Sequence, residues 1–132
     1  MERQKKIIDA SIIVKWFVNE DGTDLALSLR DEHINGESFL IVPELAFLEV
    51  INALRYKTKD LAALKEANDV LWELQLHVEK LNKFLLDRAS EIALKNNLSL
   101  YDAVYLALAR IYGSPLYTSD NQLAKCENVV KI

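Results

Sequence analysis

Four acidic residues, Asp9, Glu49, Asp102 and Asp120, occupy positions where an acid needs explaining. Asp9 closes the apolar run that begins near Lys5, and Asp120 comes just after Leu116-Tyr117-Thr118. Glu49 and Asp102 each interrupt an apolar helical stretch, Pro43 to Arg55 and Leu100 to Ala109. If the four converge on one cleft, they supply hard oxygen donors suited to Mg²⁺ or Mn²⁺, which are held by a few carboxylates and completed by water and substrate phosphate. Such an ion activates water and stabilises charge on a phosphodiester as it breaks. The constellation carries this inference, and no single acid does.

Each acid also has a plainer role open to it. Asp9, at the carboxyl end of a strand, could bind a ligand there or cap the following turn. Glu49 shares a helix face with Leu45, Ala46, Asn52 and Ala53, and Phe47, Val50, Ile51 and Leu54 make the other sides apolar too. A helix that is apolar all round is expected to be buried. An unpaired buried carboxylate costs several kcal/mol, the scale of a small domain's whole stability. Glu49 therefore needs a cation, an amide such as that of Asn52, or a metal. Ser99 to Asp102 resembles a capping box at a helix N-terminus, where the dipole favours the ionised acid. A cap, however, gives no reason for so apolar a neighbourhood. Asp120 could simply cap the short helical turn that follows it.

The elements that must position these acids alternate between strand and helix. Lys5 to Asp9 reads as a short buried strand, followed by an apolar turn or short helix to Phe17 and a loop at 19–22. Thr23 is expected to cap a helix to about Ile34, with Leu25, Ala26 and Leu29 inward, and Asn35-Gly36 to stop it. Phe39 to Val42 is a second strand, and Pro43 suits the first position of a helix running to about Lys57. Asp60 caps a third helix, with Leu61, Leu64, Ala67, Leu71 and Leu74 at helical spacing. Leu76 to Leu81 is a weak strand. Asn82 or Lys83 starts a helix with Leu85, Leu86, Ala89, Ile92 and Ala93 inward, ended by Asn96-Asn97. Ser99 caps the next helix, which Gly113 breaks after Tyr112. A strand at Leu116 to Thr118, a helical turn at Asp120 to Lys125 and a strand at Val129 to Ile132 complete the chain. The pattern predicts an α/β fold with a mainly parallel sheet covered on both faces.

The 132 residues suit one domain, 1–132, and a hydrophobic content of 51% is ample for a core without disulfides. The single cysteine, Cys126, cannot bridge internally and reads as an ordinary thiol in a reducing compartment. No apolar run is long enough to span a bilayer, and the N-terminus, Met1 to Lys6, shows no secretory h-region, so a cytoplasmic location is the default expectation. A net charge of −4 argues against broad nonspecific binding of nucleic acid. A nucleic-acid enzyme of this charge needs a metal at its site and a local patch of Lys and Arg. Lys15, Arg55, Lys57 and Arg110 are candidates for phosphate contact, although solvated surface charge is the commoner role for such residues.

Four stretches, Ile7 to Phe17, Val42 to Arg55, Leu98 to Ala109 and Pro115 to Asp120, resemble those of the PIN-domain nucleases. The likeness is strongest to the VapC-type toxins of prokaryotic toxin–antitoxin pairs. The stretches run in family order and span nearly the whole chain. The resemblance implies a three-layer α/β/α fold and an acidic site that binds Mg²⁺ or Mn²⁺ and cleaves RNA. By motif position it implies Asp9 and Asp102 as principal metal ligands, with Glu49 and Asp120 acting directly or through water. Ser11 and Thr118 resemble polar residues lining the site, and Asn52 is a candidate to orient Glu49. The family also implies a homodimer and a cognate antitoxin that covers the cleft.

Two other classes compete. A receiver-like signalling domain shares the layout and an acidic Mg²⁺ pocket, but it needs adjacent acids after the first strand, where this chain has a single Asp9. A catalytically silent PIN-like module for binding protein or RNA would not require four intact acids. Ser–His–acid catalysis fits poorly, since His33 and His77 lie far from Ser11 in any layout of these elements. Three glycines, Gly22, Gly36 and Gly113, make no phosphate loop. Trp16 and Trp72 read as core or interface residues before base-stacking ones.

Overall fold

A computed structural model describes residues 3–132. Met1 and Glu2, the first residues of the leader-free N-terminus expected above, lie outside the described residues. Among the described residues five strands occur in the order β1 (Gln4–Ile8), β2 (Ser38–Pro43), β3 (His77–Glu79), β4 (Leu116–Thr118) and β5 (Val129–Lys131). The helices are α1 (Ala10–Val14), α2 (Thr23–Ile34), α3 (Leu45–Arg55), α4 (Leu61–Glu73), α5 (Lys83–Asn96) and α6 (Leu100–Tyr112), with a 3₁₀ turn at Leu123–Lys125.

The strands pair in the order β3-β2-β1-β4-β5, all parallel. Ile7 pairs with Ile41 on one side and Leu116 on the other, and both Ile7 and Ile8 are wholly buried. A parallel strand covered on both faces needs this continuous apolar run. The sheet is the middle layer of three. Helix α6 lies against β1, β2 and β4 with α5 packed along it, while α2 lies against β2, α1 packs on α3, and α3 holds α4. Residues 103–109 of α6 are all buried, as its all-round apolarity demands. The direction of winding reverses between β1 and β4. In open parallel sheets the crevice beyond such a switch point is where ligands bind.

Several local expectations change. Pro43 is the last residue of β2, and α3 starts at Leu45 behind Glu44. Pro43 pairs in register with Glu79, and the strand continues through it because only its missing N–H is lost to the ladder. Thr23 is not the cap of α2 but its first residue. Gly22 caps it with φ 86°, and the Thr23 hydroxyl instead accepts from Glu20 N–H (2.9 Å) and donates to the Val18 carbonyl (3.2 Å). A Cβ on Gly22 would also meet Ile132 Cγ2 at 2.9 Å. Leu25, Leu61 and Leu86 face solvent, since helical spacing marks a stripe wider than the faces their neighbours cover. The caps at Asp60, Asn82 and Ser99 form as expected, and Asn97 and Gly113 end α5 and α6 in left-handed backbone.

Candidate active site

Asp9 emerges from β1 at the switch point and is 5% exposed. Two relays converge on its carboxylate. The Ser119 N–H donates to Ser11 Oγ (2.9 Å), whose hydroxyl donates to Asp9 Oδ1 (2.5 Å). The Asp120 N–H donates to Thr118 Oγ1 (2.9 Å), whose hydroxyl donates to Asp9 Oδ2. Asp9 also caps α1, accepting from Ile12 N–H at 3.4 Å. The plain capping role is therefore present, together with two hydroxyls that donate to the acid while accepting backbone N–H groups. Burial pushes the Asp9 carboxyl above the usual carboxylate range, against the pull of these hydrogen bonds.

Glu49 departs from the buried helix expected of its sequence. Helix α3 presents Leu48 and Asn52 to solvent, and Glu49 is half-buried at the margin. Its partner is Tyr105 of α6, whose hydroxyl donates to Oε1 at 2.5 Å, and not the exposed Asn52. Burial raises the Glu49 carboxyl, and the charges of Asp102 and Asp9 raise it further against the Tyr105 hydrogen bond. Asp102 is half-buried in the first turn of α6, where Ser99 Oγ accepts its N–H at 3.1 Å. Burial and the neighbouring charge of Asp120 raise its carboxyl, opposed by the Ser99 hydroxyl. Asp120 is exposed and caps the 3₁₀ turn, accepting from Leu123 N–H at 2.8 Å.

The acids thus sense one another in a chain: Asp9 with Glu49, Glu49 with Asp102, and Asp102 with Asp120. Among the described residues, none of the four forms an ion pair with Lys, Arg or His. Lys15, a candidate for phosphate contact, is itself buried and committed to Glu20 (3.1 Å) and the Asp21 carbonyl (2.5 Å). No group of three acidic, histidine or cysteine side chains among the described residues closes into a ready-made cage. Mg²⁺ does not ask for one, since it usually keeps several waters and takes one or two carboxylates plus substrate phosphate. Asp9 accepts three hydrogen bonds and retains a lone-pair site, which suits such an open arrangement.

The PIN domain model matches residues 6–128. The chain belongs to the PIN domain family. A curated PIN-family relative, Ribonuclease VapC3 of Pyrobaculum aerophilum, is 34% identical over 127 residues, covering 92% of this chain and 93% of that protein. The fold of VapC20 from Mycobacterium tuberculosis, described as a sarcin-ricin loop cleaving toxin, superposes with a TM-score of 0.74 at 15% identity over 96% of this chain and 98% of that one. A toxin–antitoxin complex from Klebsiella pneumoniae gives 0.72 at 17% identity, over 96% and 99%. At these identities the solved structures speak to the PIN fold alone.

Sequence reasoning missed Tyr105. It is 2% exposed, and its hydroxyl sits between Glu49 and the Ala10 N–H beside Asp9. Burial, with the charge of Glu49 next, raises its pKa, so the phenol keeps its proton and donates. The available signal was its spacing: Tyr105 stands one turn beyond Asp102 in a helix apolar enough to be buried, and a buried phenol needs a polar partner.

Proposed function

We propose that this protein is a ribonuclease dependent on Mg²⁺ or Mn²⁺, and that it is the toxin of a toxin–antitoxin pair. The observation that carries the metal is that Asp9, Glu49, Asp102 and Asp120 lie near enough to sense one another while none pairs with Lys, Arg or His among the described residues. Burial, with mutual charge at Glu49 and Asp102, pushes three of the carboxyls up. A divalent ion is the group that such a set accommodates. RNA as the substrate is supported by the ribonuclease relative at 34% identity.

In this reading Asp9 and Asp102 hold the ion, and Glu49 and Asp120 complete the set directly or through water. A bound divalent ion supplies positive charge to the phosphodiester and lowers the pKa of water. Ser11 and Thr118 fix the Asp9 carboxylate, each with its proton pointed at Asp9 because its lone pair is taken by a backbone N–H. Tyr105 donates to Oε1 of Glu49 and leaves Oε2 free of that bond, and a carboxylate held high by burial is suited to accept the proton of the attacking water. The same reading brings a cytoplasmic setting, a homodimer and a cognate antitoxin, and a toxin–antitoxin complex is among the proteins that share the fold.

Cleavage of structured RNA, followed with Mn²⁺ and with chelator, tests the proposal. Wild type should cut only with metal, and Asp9→Asn should not cut at all. Equal cleavage by purified, folded Asp9→Asn, or undiminished cleavage in chelator, would sink it.

A further inference from the structure

The turn from α3 to α4 runs against the charge of the rest of the chain. In a protein of net charge −4, residues 55–59 read Arg-Tyr-Lys-Thr-Lys. Arg55, Lys57 and Lys59 are all exposed, and none forms an ion pair among the described residues. With Tyr56, Thr58 and two leucines they line an open depression of about 600 Å³, and no carboxylate lines it. This depression lies apart from the four acids, so it is no part of the site already described.

Tyr56 is 77% exposed and takes no part in the hydrophobic core. The Arg55 guanidinium lies 5.0 Å from its ring centroid, which holds the ring as a flat, cation-backed platform. Its position on the helix also matters. Tyr56, the C-cap residue of α3, follows Glu49 by seven residues, so the two lie on one face of the helix about 10 Å apart along the axis. Exposed Asn52 lies between them on that face. An acidic peptide would use the cations and leave the ring idle. Three cations with no acidic partner among the described residues, around an exposed aromatic platform, match a polyanion that carries planar bases, and an unpaired base is the one free to stack.

We infer that the α3–α4 turn is a binding site for single-stranded RNA. Tyr56 stacks a base, Arg55, Lys57 and Lys59 hold phosphates, and the strand runs along α3 toward Glu49. The site deepens the ribonuclease reading and rests on it for the choice of RNA.

The test is anisotropy of a fluorescein-labelled, unstructured RNA in Mg²⁺, in an Asp9→Asn background that does not cleave. Tyr56→Ala should weaken binding roughly tenfold, and Tyr56→Phe should bind like the parent, because stacking needs the ring and not the hydroxyl. Replacing Arg55, Lys57 and Lys59 together with Gln should reduce the slope of log affinity against log salt by about 2. With the catalytic acids intact, Tyr56→Ala should raise KM and leave kcat unchanged. All four residues are exposed, so their variants should melt with the parent. Parental affinity and salt slope in Tyr56→Ala and the triple variant would overturn the site, as would equal loss in Tyr56→Phe. Failure of wild type to cut RNA would count against the ribonuclease reading instead, and the anisotropy result would stand apart from it.

Discussion

Helix α6 donates tyrosine hydroxyls to two glutamates, two turns apart, and the pairs differ in what surrounds them. Tyr112 donates to Glu79 Oε1, which His77 Nε2 also meets at 2.9 Å, while Lys5 Nζ lies 5.5 Å from the Tyr112 ring centroid. The Tyr112 hydrogen bond and then His77 hold the Glu79 carboxyl below its usual range, and Tyr112 is pushed up to about 12. Tyr105 makes the same bond to Glu49, yet that carboxyl moves upward, since burial and two further acids outweigh the bond. One phenol–carboxylate pair has a further polar partner, His77, within the protein and fastens the sheet edge to α6. The other has no Lys, Arg or His paired with it among the described residues, as a site awaiting a cation would.

The contrast can be broken by mutation. The largest expected effect is Asp9→Asn or Asp102→Asn, each lowering the RNA cleavage rate more than about a hundredfold, since even outer partners of metal ligands cost about 10- to 100-fold. Initial rates in Mn²⁺ measure it, and rates near wild type would remove these acids from the chemistry. Next comes Tyr105→Phe, expected to weaken Mn²⁺ binding and slow cleavage by about 10- to 100-fold, while Tyr112→Phe leaves both within about twofold and costs about 1 kcal/mol of stability. Calorimetric Mn²⁺ titration beside chemical denaturation separates the two, and matching losses of metal affinity would erase the distinction.

The smallest effect sharpens the comparison through its sign. Asp9, Glu49 and Asp102 have carboxyls raised in the folded state from ordinary values of 3.8, 4.5 and 3.8. Below those values both folded and unfolded chains are protonated and no penalty exists. As pH rises through the raised values, the unfolded chain has already released protons that the folded chain retains, so stability falls. Glu79 is depressed, so its contribution is present above 4.5 and lost as pH falls below it. In metal-free buffer near neutral pH, Glu49→Gln should raise Tm and Glu79→Gln should lower it, each by a few degrees. The gain from Glu49→Gln should shrink as pH falls toward the ordinary value of 4.5 and vanish when Mn²⁺ saturates the wild type. A gain indifferent to metal would mean that Glu49 is simply a poorly placed acid.

The sequence revealed the scaffold most clearly at β2 and α6, a continuous apolar strand and a helix whose apolar run over residues 103–109 is buried throughout. It was less informative about α3, where an equally apolar string is half exposed, since neither periodicity nor composition says whether a partner covers Leu48. Asp9 and Asp120 were ambiguous for a sound reason, because both do cap the turns after them. The partner of Glu49 lay 56 residues away on another helix. Such a bond depends on how α3 and α6 are set against the sheet, which no local spacing encodes.

The strand order has a consequence for how the protein comes to life during synthesis. β1 can meet its neighbour β4 only once Leu116 has been made, long after the residues of β2 have been synthesised. Asp9 and Glu49 belong to the early half of the chain, while Asp102, Tyr105, Thr118 and Asp120 belong to the late half. A nascent chain on the ribosome therefore carries one wall of the cleft and none of the groups that face it. The four acids come together only in the finished molecule, since two come from each half of the chain.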